Sequence, residues 1–522
     1  LIAQHNKMEF KGIFYNSRNS NRKEERILKQ FCEKEKIELF TLERFIEEIF
    51  YPELLEIKTL CVGFNLPFDL SRLAFNFGEG RYSHRVWFSL QISNNKFLPR
   101  IKIKHIDNTK SFIQFSKSKT EKGFNKFKGY FLDLKTLAST FSEEEHINLR
   151  ESGKFFGCKY LKNEVETHGK ITPEYIKYNL NDVLVTYELY NKISEHFKLY
   201  GIEAPLTKIY SSASLGKYAL KQLGIQPLSR ISSSINGKIK GQLMSGYFGG
   251  RCECNFRKTP IEISVLDFTS MYPSLFINMN LWDFLIAKEI REKEVTLETI
   301  NFLKRLRFED LFNKSIWKRF NILVEVIPDN DLFPVRSNYL ENSSLYNVGI
   351  NYLKYDKSIY LTLPDVISSI ILNGKVPKIK KAIEFIPIGK QETLKESNIL
   401  GIEINPKDNN LVKILIEKRQ KFKEIRNKHE KHSEEYKRFN GVQRALKILA
   451  NSMAYGIFIE MNYTDKIKDL VIHSREEFFT KQRFEEEGKF FNPLIAVMQV
   501  SGARLLLAIA EKYLTNKGSF HS

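Results

Sequence analysis

The first 200 residues alternate short apolar runs with helical stretches, and this alternation limits the fold more than any other feature of the chain. The runs IELFTL (37–42), LCVGF (60–64) and GYFLDL (129–134) have the length of strands, and residues 174–198 have a helical pattern. Such an alternation is typical of an α/β domain. At 522 residues the chain is also too long for one hydrophobic core, so we expect two or three domains.

The charge balance favours a polyanionic partner. The net charge of +20 suits nucleic acid, while an anionic membrane surface or a basic ribosomal-type scaffold are the alternatives. We find no run of about 18 apolar residues, which speaks against a membrane. Residues 99–128 hold nine Lys or Arg residues in strand-like alternation against Asp107 and Glu121. This segment fits a hairpin on a phosphate backbone and a solvated surface insertion equally well.

The five cysteines are scattered and odd in number, which indicates a reducing compartment. Cys252 and Cys254 are close together, but a zinc site needs a second pair. We therefore expect an intracellular location, cytoplasmic or nucleoid-associated, with an organelle or a virus-infected cell left open.

A carboxylate follows a β-branched run in the middle of the chain. The alternation over 261–267 predicts a strand that ends at Asp267, and Pro273 suits the first turn of a following helix. Phosphoryl transfer by two metal ions needs carboxylates held in this way. A helix cap is the alternative role for Asp267.

A helical segment near residue 450 separates a polar face from an apolar one. Lys447, Asn451 and Tyr455 recur every four residues and so share one face. The opposite face carries an apolar stripe: Val442, Leu446, Leu449 and Met453. The preceding helix places three cations on one side: Arg419, Lys423 and Arg426. Cations, an amide and an aromatic ring suit a triphosphate and a stacked base, although each lysine or arginine alone fits a solvated surface.

These two segments resemble family B DNA polymerases, whose palm motif has the form D-x-x-S-L-Y-P-S and whose fingers motif has the form K-x-x-x-N-S-x-Y-G. The resemblance implies that Asp267 binds catalytic Mg²⁺, with Mn²⁺ as a substitute. Ser270 and Tyr272 would contact the nucleotide, and Tyr272 would exclude ribonucleotides. The remaining implied contacts to the triphosphate or the nascent base pair are Arg419, Lys423, Lys447, Asn451, Tyr455 and Gly456. Two residues, Met453 and Ala454, stand where the pattern has one, which weakens the assignment of Tyr455.

The segment Tyr247-Phe248-Gly249-Gly250 is similar to the Y-x-G-G element of the same family. That element lies between the exonuclease and polymerase parts, where the DNA strand passes between sites. The resemblance implies DNA contacts by Tyr247, Gly249 and Gly250, and glycine permits close backbone approach to a phosphate. A plain turn is the alternative.

Two further segments look like the second and third exonuclease motifs of this family, in a ribonuclease-H-like fold. They are 65–69, which contains Asn65, Phe68 and Asp69, and 178–182, which contains Tyr178 and Asp182. By resemblance Asp69 and Asp182 bind metal ions and Tyr178 orients the attacking water. Asn65 and Phe68 would touch the single-stranded primer end, and Lys162 is a candidate supporting lysine. Each motif alone also fits a cap or a turn.

Both active sites lack expected carboxylates. No Asp precedes Asp69, and we reject Glu33-Lys34-Glu35 as a substitute for the first exonuclease motif because it lies in a lysine-rich helical stretch. The D-T-D hairpin of the palm does not follow residues 493–514, and the chain starts at Leu1 instead of Met. We expect a fragment cut at both ends that cannot assemble either two-metal site.

The sequence thus predicts an α/β and α+β multidomain protein, with a ribonuclease-H-like exonuclease domain followed by a polymerase palm and helical fingers. The expected divisions are 1–205 exonuclease, 206–260 connection, 261–282 palm, 283–405 palm elaboration or insertion, 406–458 fingers and 459–522 palm. The full-length protein would synthesise DNA from deoxynucleoside triphosphates on a primer-template and proofread it. A stand-alone exonuclease and a non-catalytic DNA-binding derivative are the alternatives. Priming by a terminal protein and help from a processivity clamp stay open, and no membrane partner is expected.

Overall fold

The computed structural model describes residues 2–5, 8–79, 87–107, 110–120, 123–125, 127–142, 147–162, 170–254, 256, 258–338, 346–431, 433–454, 456–474 and 477–519. The chain forms two compact units, Leu1–Ser214 (unit 1) and Leu215–Ser522 (unit 2). Each unit combines helices with sheets. The expectation of an α/β multidomain protein is therefore confirmed.

Unit 1 contains strands and helices in alternation. Its strands are β1 (Ile2–His5), β2 (Met8–Tyr15), β3 (Glu38–Thr41), β4 (Leu60–Gly63), β5 (Asn76–Glu79), β6 (Trp87–Gln91), β7 (Ile101–His105), β8 (Ser111–Phe115), β9 (Ser118–Thr120), β10 (Gly123–Asn125) and β11 (Tyr130–Asp133). Its helices are α1 (Arg22–Glu35), α2 (Leu42–Arg44), α3 (Leu66–Leu73), α4 (Leu134–Ser142), α5 (Leu149–Phe156) and α6 (Pro173–Lys198), while α7 (Ser212–Gln222) contains the division between the units. The strands expected from residues 37–42, 60–64 and 129–134 and the helix expected from 174–198 are confirmed.

Unit 1 contains four sheets among its described residues, one of which is the antiparallel hairpin of β9 and β10. The strand β2 pairs with β1 antiparallel and with β3 parallel, β4 pairs with β11 parallel, and β5 to β8 form an antiparallel meander. The basic segment 99–128 contributes β7 and β8 to the meander, which confirms its strand-like pattern. The core of this unit is rich in aromatic rings, with Phe45, Phe50 and Phe115 among its buried members.

Helix starts in unit 1 follow their local sequence. Asn21 and Glu24 form a capping box at α1, and Asn148 and Glu151 form another at α5. The long helix α6 begins with the Thr172 cap and Pro173 in its first turn. These signals come from residues within a few positions of each helix start, so they specify where each helix begins without a distant partner.

Unit 2 is built on a five-stranded sheet and long helices. Its strands are β12 (Ser232–Ser233), β13 (Glu289–Glu294), β14 (Ile322–Ile327), β15 (Asp329–Ser337), β16 (Asn347–Lys354), β17 (Ile359–Thr362), β18 (Lys378–Ile388), β19 (Ser397–Ile399), β20 (Ile402–Ile404), β21 (Met461–Ser474) and β22 (Glu477–Glu487). Its helices after α7 are α8 (Gly237–Ser245), α9 (Met271–Asn278), α10 (Leu281–Ile286), α11 (Thr296–Arg305), α12 (Leu363–Asn373), α13 (Leu411–Arg426), α14 (Glu434–Ala454) and α15 (Pro493–Asn516). The five-stranded sheet has the order β12-β13-β18-β14-β17, and β15 with β16 forms a separate hairpin.

The helix α15 is the central helix of unit 2. It contacts α12, α9 and α8, and most of its residues are buried. By length and composition it could cross a membrane, which corrects our finding from the sequence that no such segment exists. However, 83% of its apolar window is buried inside the protein, and its Arg504 pairs with Asp365. We therefore describe α15 as a core helix.

The prediction of a strand over residues 261–267 is wrong. Residues 261–268 have no regular structure, and Ile263 and Val265 are 62% and 85% exposed. A β-branched run favours an extended chain, but a strand also needs a neighbour for its main-chain hydrogen bonds. In the part of the chain that the structure describes, no strand pairs with this segment. Asp267 consequently ends an open segment and not a strand.

Candidate functional site

Two aspartates meet in unit 1 where parallel strands end. The strands β4 and β11 run side by side with Asp133 opposite Gly63, so the chain leaves both strands at the same edge. Asp133 Oδ1 accepts hydrogen bonds from the backbone N–H of Asn65 at 2.8 Å and of Leu66 at 3.2 Å. It therefore fixes the start of α3, the helix that carries Asp69.

The charges of these two carboxyl groups are coupled. Burial raises the pKa of Asp133, and its hydrogen bonds from Leu66, Lys135, Asn65 and Thr136 oppose this rise. Asp69 is exposed on one side, yet burial of its carboxyl group, followed by the charge of Asp133, raises its pKa to about 6. A bound cation would relieve both effects, because it stabilises the ionised form.

Asp133 was missed by the sequence reasoning. The run GYFLDL was identified as a strand, but the carboxylate at its end was not linked to Asp69. A signal did exist, since polar residues that follow neighbouring parallel strands meet at one sheet edge. Because both oxygens of Asp133 already accept hydrogen bonds, this residue is suited to positioning Asn65 and Asp69.

A second group in unit 1 is formed by Tyr178 and Asp182 of α6 with Lys162, which precedes this helix. Lys162 Nζ is 3.4 Å from Asp182 Oδ2 and 5.6 Å from the centre of the Tyr178 ring. Burial raises the pKa of Asp182, and the charge of Lys162 opposes this rise. Burial alone would lower the pKa of Lys162, but Tyr178 and Asp182 raise it overall. Asp182 Oδ1 is buried without a hydrogen-bond partner, so it can still accept a proton donor or a cation.

Phe68, which precedes Asp69 on α3, is exposed. The accessible fraction of its surface is 52%. The Arg72 guanidinium lies 4.7 Å from the centre of its ring. An exposed ring with a nearby cation suits a nucleic-acid base.

Neither group in unit 1 forms a complete metal site by itself. Among the described residues, no three His, Cys, Asp or Glu side chains gather closely enough to hold an ion. The structure thus brings Asp69 to Asp133 and Asp182 to Lys162 and Tyr178, but it does not gather all three aspartates. Carboxylate oxygens are ligands that Mg²⁺ and Mn²⁺ prefer, so Asp69 and the orphaned oxygen of Asp182 fit such ions chemically.

The pKa of Asp69 leads to a prediction about stability. Its value of about 6 exceeds the ordinary value near 4, so the folded chain retains a proton that the unfolded chain loses between these pH values. The contribution of Asp69 to the stability of the folded chain relative to the unfolded chain is therefore largest at low pH, where its carboxyl group is protonated. This advantage is lost as the pH rises through about 6 and the buried carboxyl group becomes charged. We expect Asp69→Asn to raise the Tm of unit 1 by roughly 1–3 °C at pH 7.5, a small effect because the residue is partly exposed.

Thermal unfolding at pH 4.5, 6 and 7.5 measures this difference, which should grow between about pH 4 and 6 and then stay constant. The exposed Glu56→Gln in the same unit is the control and should give no pH-dependent change. A variant Asp69→Asn that is less stable than the wild type at pH 7.5 would contradict the argument.

In unit 2 a tight turn leads into α9. Ser270 precedes the helix with a φ of 53°, and its hydroxyl accepts a hydrogen bond from Arg419 Nη1 at 2.9 Å. The carbonyl of Tyr272 accepts one from Gln499 Nε2 at 3.0 Å. Pro273 lies in the first turn of α9, as the sequence predicts. Ser270, Tyr272 and Arg419 are thus brought together, while Asp267 lies exposed just before the turn.

Four cations gather on α13 and α14, which contact each other and α9. Burial lowers the pKa of Lys423, and the charges of Arg419, Arg426 and Lys447 lower it further. Mutual repulsion among cations is unfavourable without a counter-ion. This cluster, which we name the α13–α14 cation cluster, is therefore suited to a polyanion such as a triphosphate.

The two faces of α14 match the sequence prediction. Leu446, Leu449 and Met453 of the predicted stripe are buried and Val442 is half-buried, while Lys447 is half-buried and Asn451 is exposed. Gly456 follows with a φ of 87°, a conformation that glycine adopts without strain. Tyr455 lies outside the described residues.

The loop 247–250 is held by two arginines through its carbonyl oxygens. Arg336 donates to the carbonyls of Tyr247 and Phe248, and Arg504 donates to that of Gly249. Gly249 has a φ of 105°, and a side chain at Gly250 would lie 3.4 Å from the hydroxyl of Tyr272. The loop is therefore fixed beside the turn that begins α9.

Three of these supporting residues were not found from the sequence. Gln499 and Arg504 lie on an apolar helix, and Arg336 lies on β15. A polar residue inside the otherwise apolar stretch 493–514 was the available signal, because a buried charge needs a partner. Its partner, Asp365, is 139 positions away and could not be identified from spacing.

One protein-family model matches part of the chain. The sequence model of the family described as DNA polymerase type B, organellar and viral, matches residues 107–338. No curated protein matches the chain. Among solved structures, the chain is similar to Phi29 DNA polymerase complexed with primer-template DNA as a post-translocation binary complex, with a TM-score of 0.40 and 15% identity over 90% of this chain and 71% of that chain. For Phi29 DNA polymerase complexed with single-stranded DNA, the TM-score is 0.38 and the identity 14%, over 90% of this chain and 70% of that chain.

Proposed function

We propose that the full-length protein is a type B DNA polymerase that both synthesises and proofreads DNA, and the match of residues 107–338 to the model of the organellar and viral family supports the polymerase part of this proposal. Synthesis uses deoxynucleoside triphosphates on a primer-template, and proofreading removes nucleotides in the 3′–5′ direction. The main support for DNA synthesis is the α13–α14 cation cluster, which lies beside the Ser270–Tyr272 turn. We also propose an intracellular location.

The incoming nucleotide binds between this cluster and the turn. Lys447, Lys423 and Arg419 hold the triphosphate, because cations that repel one another gain most from a polyanion. Ser270 now accepts a hydrogen bond from Arg419, which sets the position of that guanidinium. Tyr272, held through its carbonyl by Gln499, lies at the sugar and excludes ribonucleotides. The exposed Asn451, together with Tyr455 and Gly456, borders the new base pair.

Asp267 would hold Mg²⁺, which would supply neutralisation of the phosphates and activation of the attacking hydroxyl. In the described residues no further carboxylates gather around Asp267. Phosphate oxygens of the nucleotide would supply further ligands, as is common for magnesium at nucleotide sites. Mn²⁺ has the same ligand preference and can replace it.

The proofreading half uses the aspartates of unit 1. Asp69 and Asp182 act as metal ligands, supported by the raised pKa of Asp69 and the unpartnered buried oxygen of Asp182. Tyr178 orients the attacking water, and Lys162 fixes Tyr178 and Asp182. Phe68 and Asn65 hold the single-stranded primer end. Between synthesis and excision, the backbone of the loop 247–250 approaches the DNA, as its glycines permit.

Primer extension by the full-length protein tests this proposal. With a labelled primer-template, deoxynucleotides and Mg²⁺, we expect extension that stops when the metal is chelated. With a mismatched primer end, we expect excision before extension. Excision without extension would favour a stand-alone exonuclease, and DNA binding with neither reaction would favour a non-catalytic derivative. Either result would overturn the proposed polymerase activity.

A further inference from the structure

The meander β5 to β8 in unit 1 has one face that the proposed chemistry does not use. Ile101 and Ile103 point into the core, so Lys102 and Lys104 lie on the other side of the sheet. In the strand register, Ser89, Lys102 and Gln114 form one row across this side. The neighbouring row contains Trp87, Lys104 and Phe112. We name this side, with its residues Trp87, Lys102, Lys104, Phe112 and Gln114, the outer sheet face.

Aromatic rings hold two cations in place at this face. Trp87 and Phe112 meet edge to face at 5.5 Å, and Tyr210 adjoins Phe112 at 5.1 Å. Lys102 Nζ lies 5.0 Å above the Trp87 ring, and Lys208 Nζ lies 5.9 Å above the Phe112 ring. A lysine held on a ring loses less rotamer entropy when it binds an anion than a lysine that moves freely in solvent.

These two cations keep their charge available. In the described part of the chain, neither Lys102 nor Lys208 has a carboxylate within ion-pair distance, whereas the nearby Asp107 pairs with Lys110 at 3.2 Å. A lysine bound to a carboxylate must leave it to bind a phosphate, but a lysine on a ring does not. The outer sheet face therefore offers a preorganised site for a chain of phosphates.

One residue of this face, Phe112, lies near Asp133. Phe112 and Tyr210 line a cavity of about 20 Å³ together with Asp133 and Thr136. Asp133 in turn anchors the start of α3, which carries Asp69. A polyanion on the outer sheet face would thus have one end close to the proposed excision chemistry.

We propose that the outer sheet face binds single-stranded DNA. Cations beside half-buried aromatic rings on a sheet face suit a single strand, because its unpaired bases can contact the rings while its phosphates contact the lysines. In a duplex the bases are stacked inside and could not reach Trp87 or Phe112. The inference rests on the proposed function for the identity of the polyanion as DNA, and it adds a binding surface apart from the aspartates.

Fluorescence anisotropy with a labelled oligo-dT of about 20 nucleotides tests this site in the full-length protein. The test variant is Lys102→Gln/Lys208→Gln. The matched control is Lys159→Gln/Lys517→Gln, which removes two lysines that also lie over rings, those of Tyr160 and Tyr513. Each lost phosphate contact lowers the salt slope of log K by about 0.7, so two contacts give about 1.4, or about 25-fold weaker binding at ~0.1 M salt.

A second variant tests separately whether the ring that positions Lys102 contributes to binding. Trp87→Leu keeps both lysines but removes the ring that holds Lys102. We expect weaker binding with an unchanged salt slope, because the phosphate contacts remain while their preorganisation is lost. If the lysine and tryptophan variants both bind like the wild type, the inference is wrong.

The remaining outcomes distinguish the inference from the proposed function. Equal losses for the test and control pairs would show general charge effects and overturn the site. Equal or tighter binding of a 20-base-pair duplex would overturn the assignment to a single strand, and preference for an acidic peptide would overturn the assignment to DNA. Primer extension is measured on the same preparations. If the wild type extends primers but the variants bind the oligonucleotide as tightly as the wild type, this inference alone is wrong. If the wild type does not extend primers, the proposed function is wrong.

Discussion

Arg504→Met is expected to destabilise unit 2 by about 3–5 kcal/mol, because it leaves the buried carboxylate of Asp365 without its partner. Both side chains are 1% exposed, and Arg504 binds Asp365 through two hydrogen bonds of 2.7 and 2.8 Å. Thr362 donates a third hydrogen bond to Asp365. The same substitution frees the carbonyl of Gly249, so the loop 247–250 should lose its anchor as well.

Urea unfolding followed by tryptophan fluorescence measures this effect. Trp282 and Trp317 are buried in unit 2, and a Trp87→Phe background removes the signal of unit 1. The control is Arg291→Met, which breaks an ion pair to Glu289 of similar length at an exposed site and should cost less than about 1 kcal/mol.

A compensating variant tests the physical reason. In Arg504→Met/Asp365→Leu both buried charges are removed, so neither has to be taken out of water without a partner. We expect the double variant to recover most of the stability lost by Arg504→Met. If Arg504→Met is as mild as the exposed control, or if the double variant is less stable than the single one, the ion pair does not have the role that its burial indicates.

Asp267→Asn is expected to reduce primer extension by the full-length protein by more than about 100-fold. Loss of a residue that only orients a metal ligand costs about 10–100-fold, and a direct ligand should cost more. The amide keeps the size of the side chain but removes the negative charge that holds Mg²⁺. The effect should fall on kcat, because the triphosphate still binds the α13–α14 cation cluster.

Single-turnover extension with saturating nucleotide measures this loss. Asp356→Asn is the control, since Asp356 is an exposed aspartate between β16 and β17 with no proposed role in the reaction. Excision of a mismatched primer end should continue in Asp267→Asn, because its aspartates lie in unit 1. Retention of full extension by the variant would rule out Asp267 as a metal ligand.

Local patterns predicted the helices that carry the candidate residues. The four-residue spacing of Lys447 and Asn451 and the opposite stripe at Leu446 and Leu449 hold because helix period is a property of the chain itself. The same is true of α6, which begins at its Thr172 cap and carries Tyr178 and Asp182. The family match over residues 107–338 agrees with the resemblance inferred from the short motifs inside that range, at 178–182, 247–250 and 267–274.

Strand formation showed the limit of such patterns. Residues 261–267 have the alternation of a strand, yet they remain open, because main-chain hydrogen bonds must come from another part of the chain. The lysines of β7 were visible as a basic segment. Only the register with β6 and β8 showed that Trp87 and Phe112 lie beside them on one face.

The sequence by itself determined the extent of α6, the faces of α14, the net charge and the short motifs that resemble the polymerase family, since these depend on neighbours within a few residues or on composition. The tertiary structure alone decided that Asp133 anchors the helix of Asp69 and that Arg504 pairs with Asp365. Those partners are 67 or more positions apart. The free energy of such contacts arises from burial and from charges brought together by folding, and no local spacing encodes it.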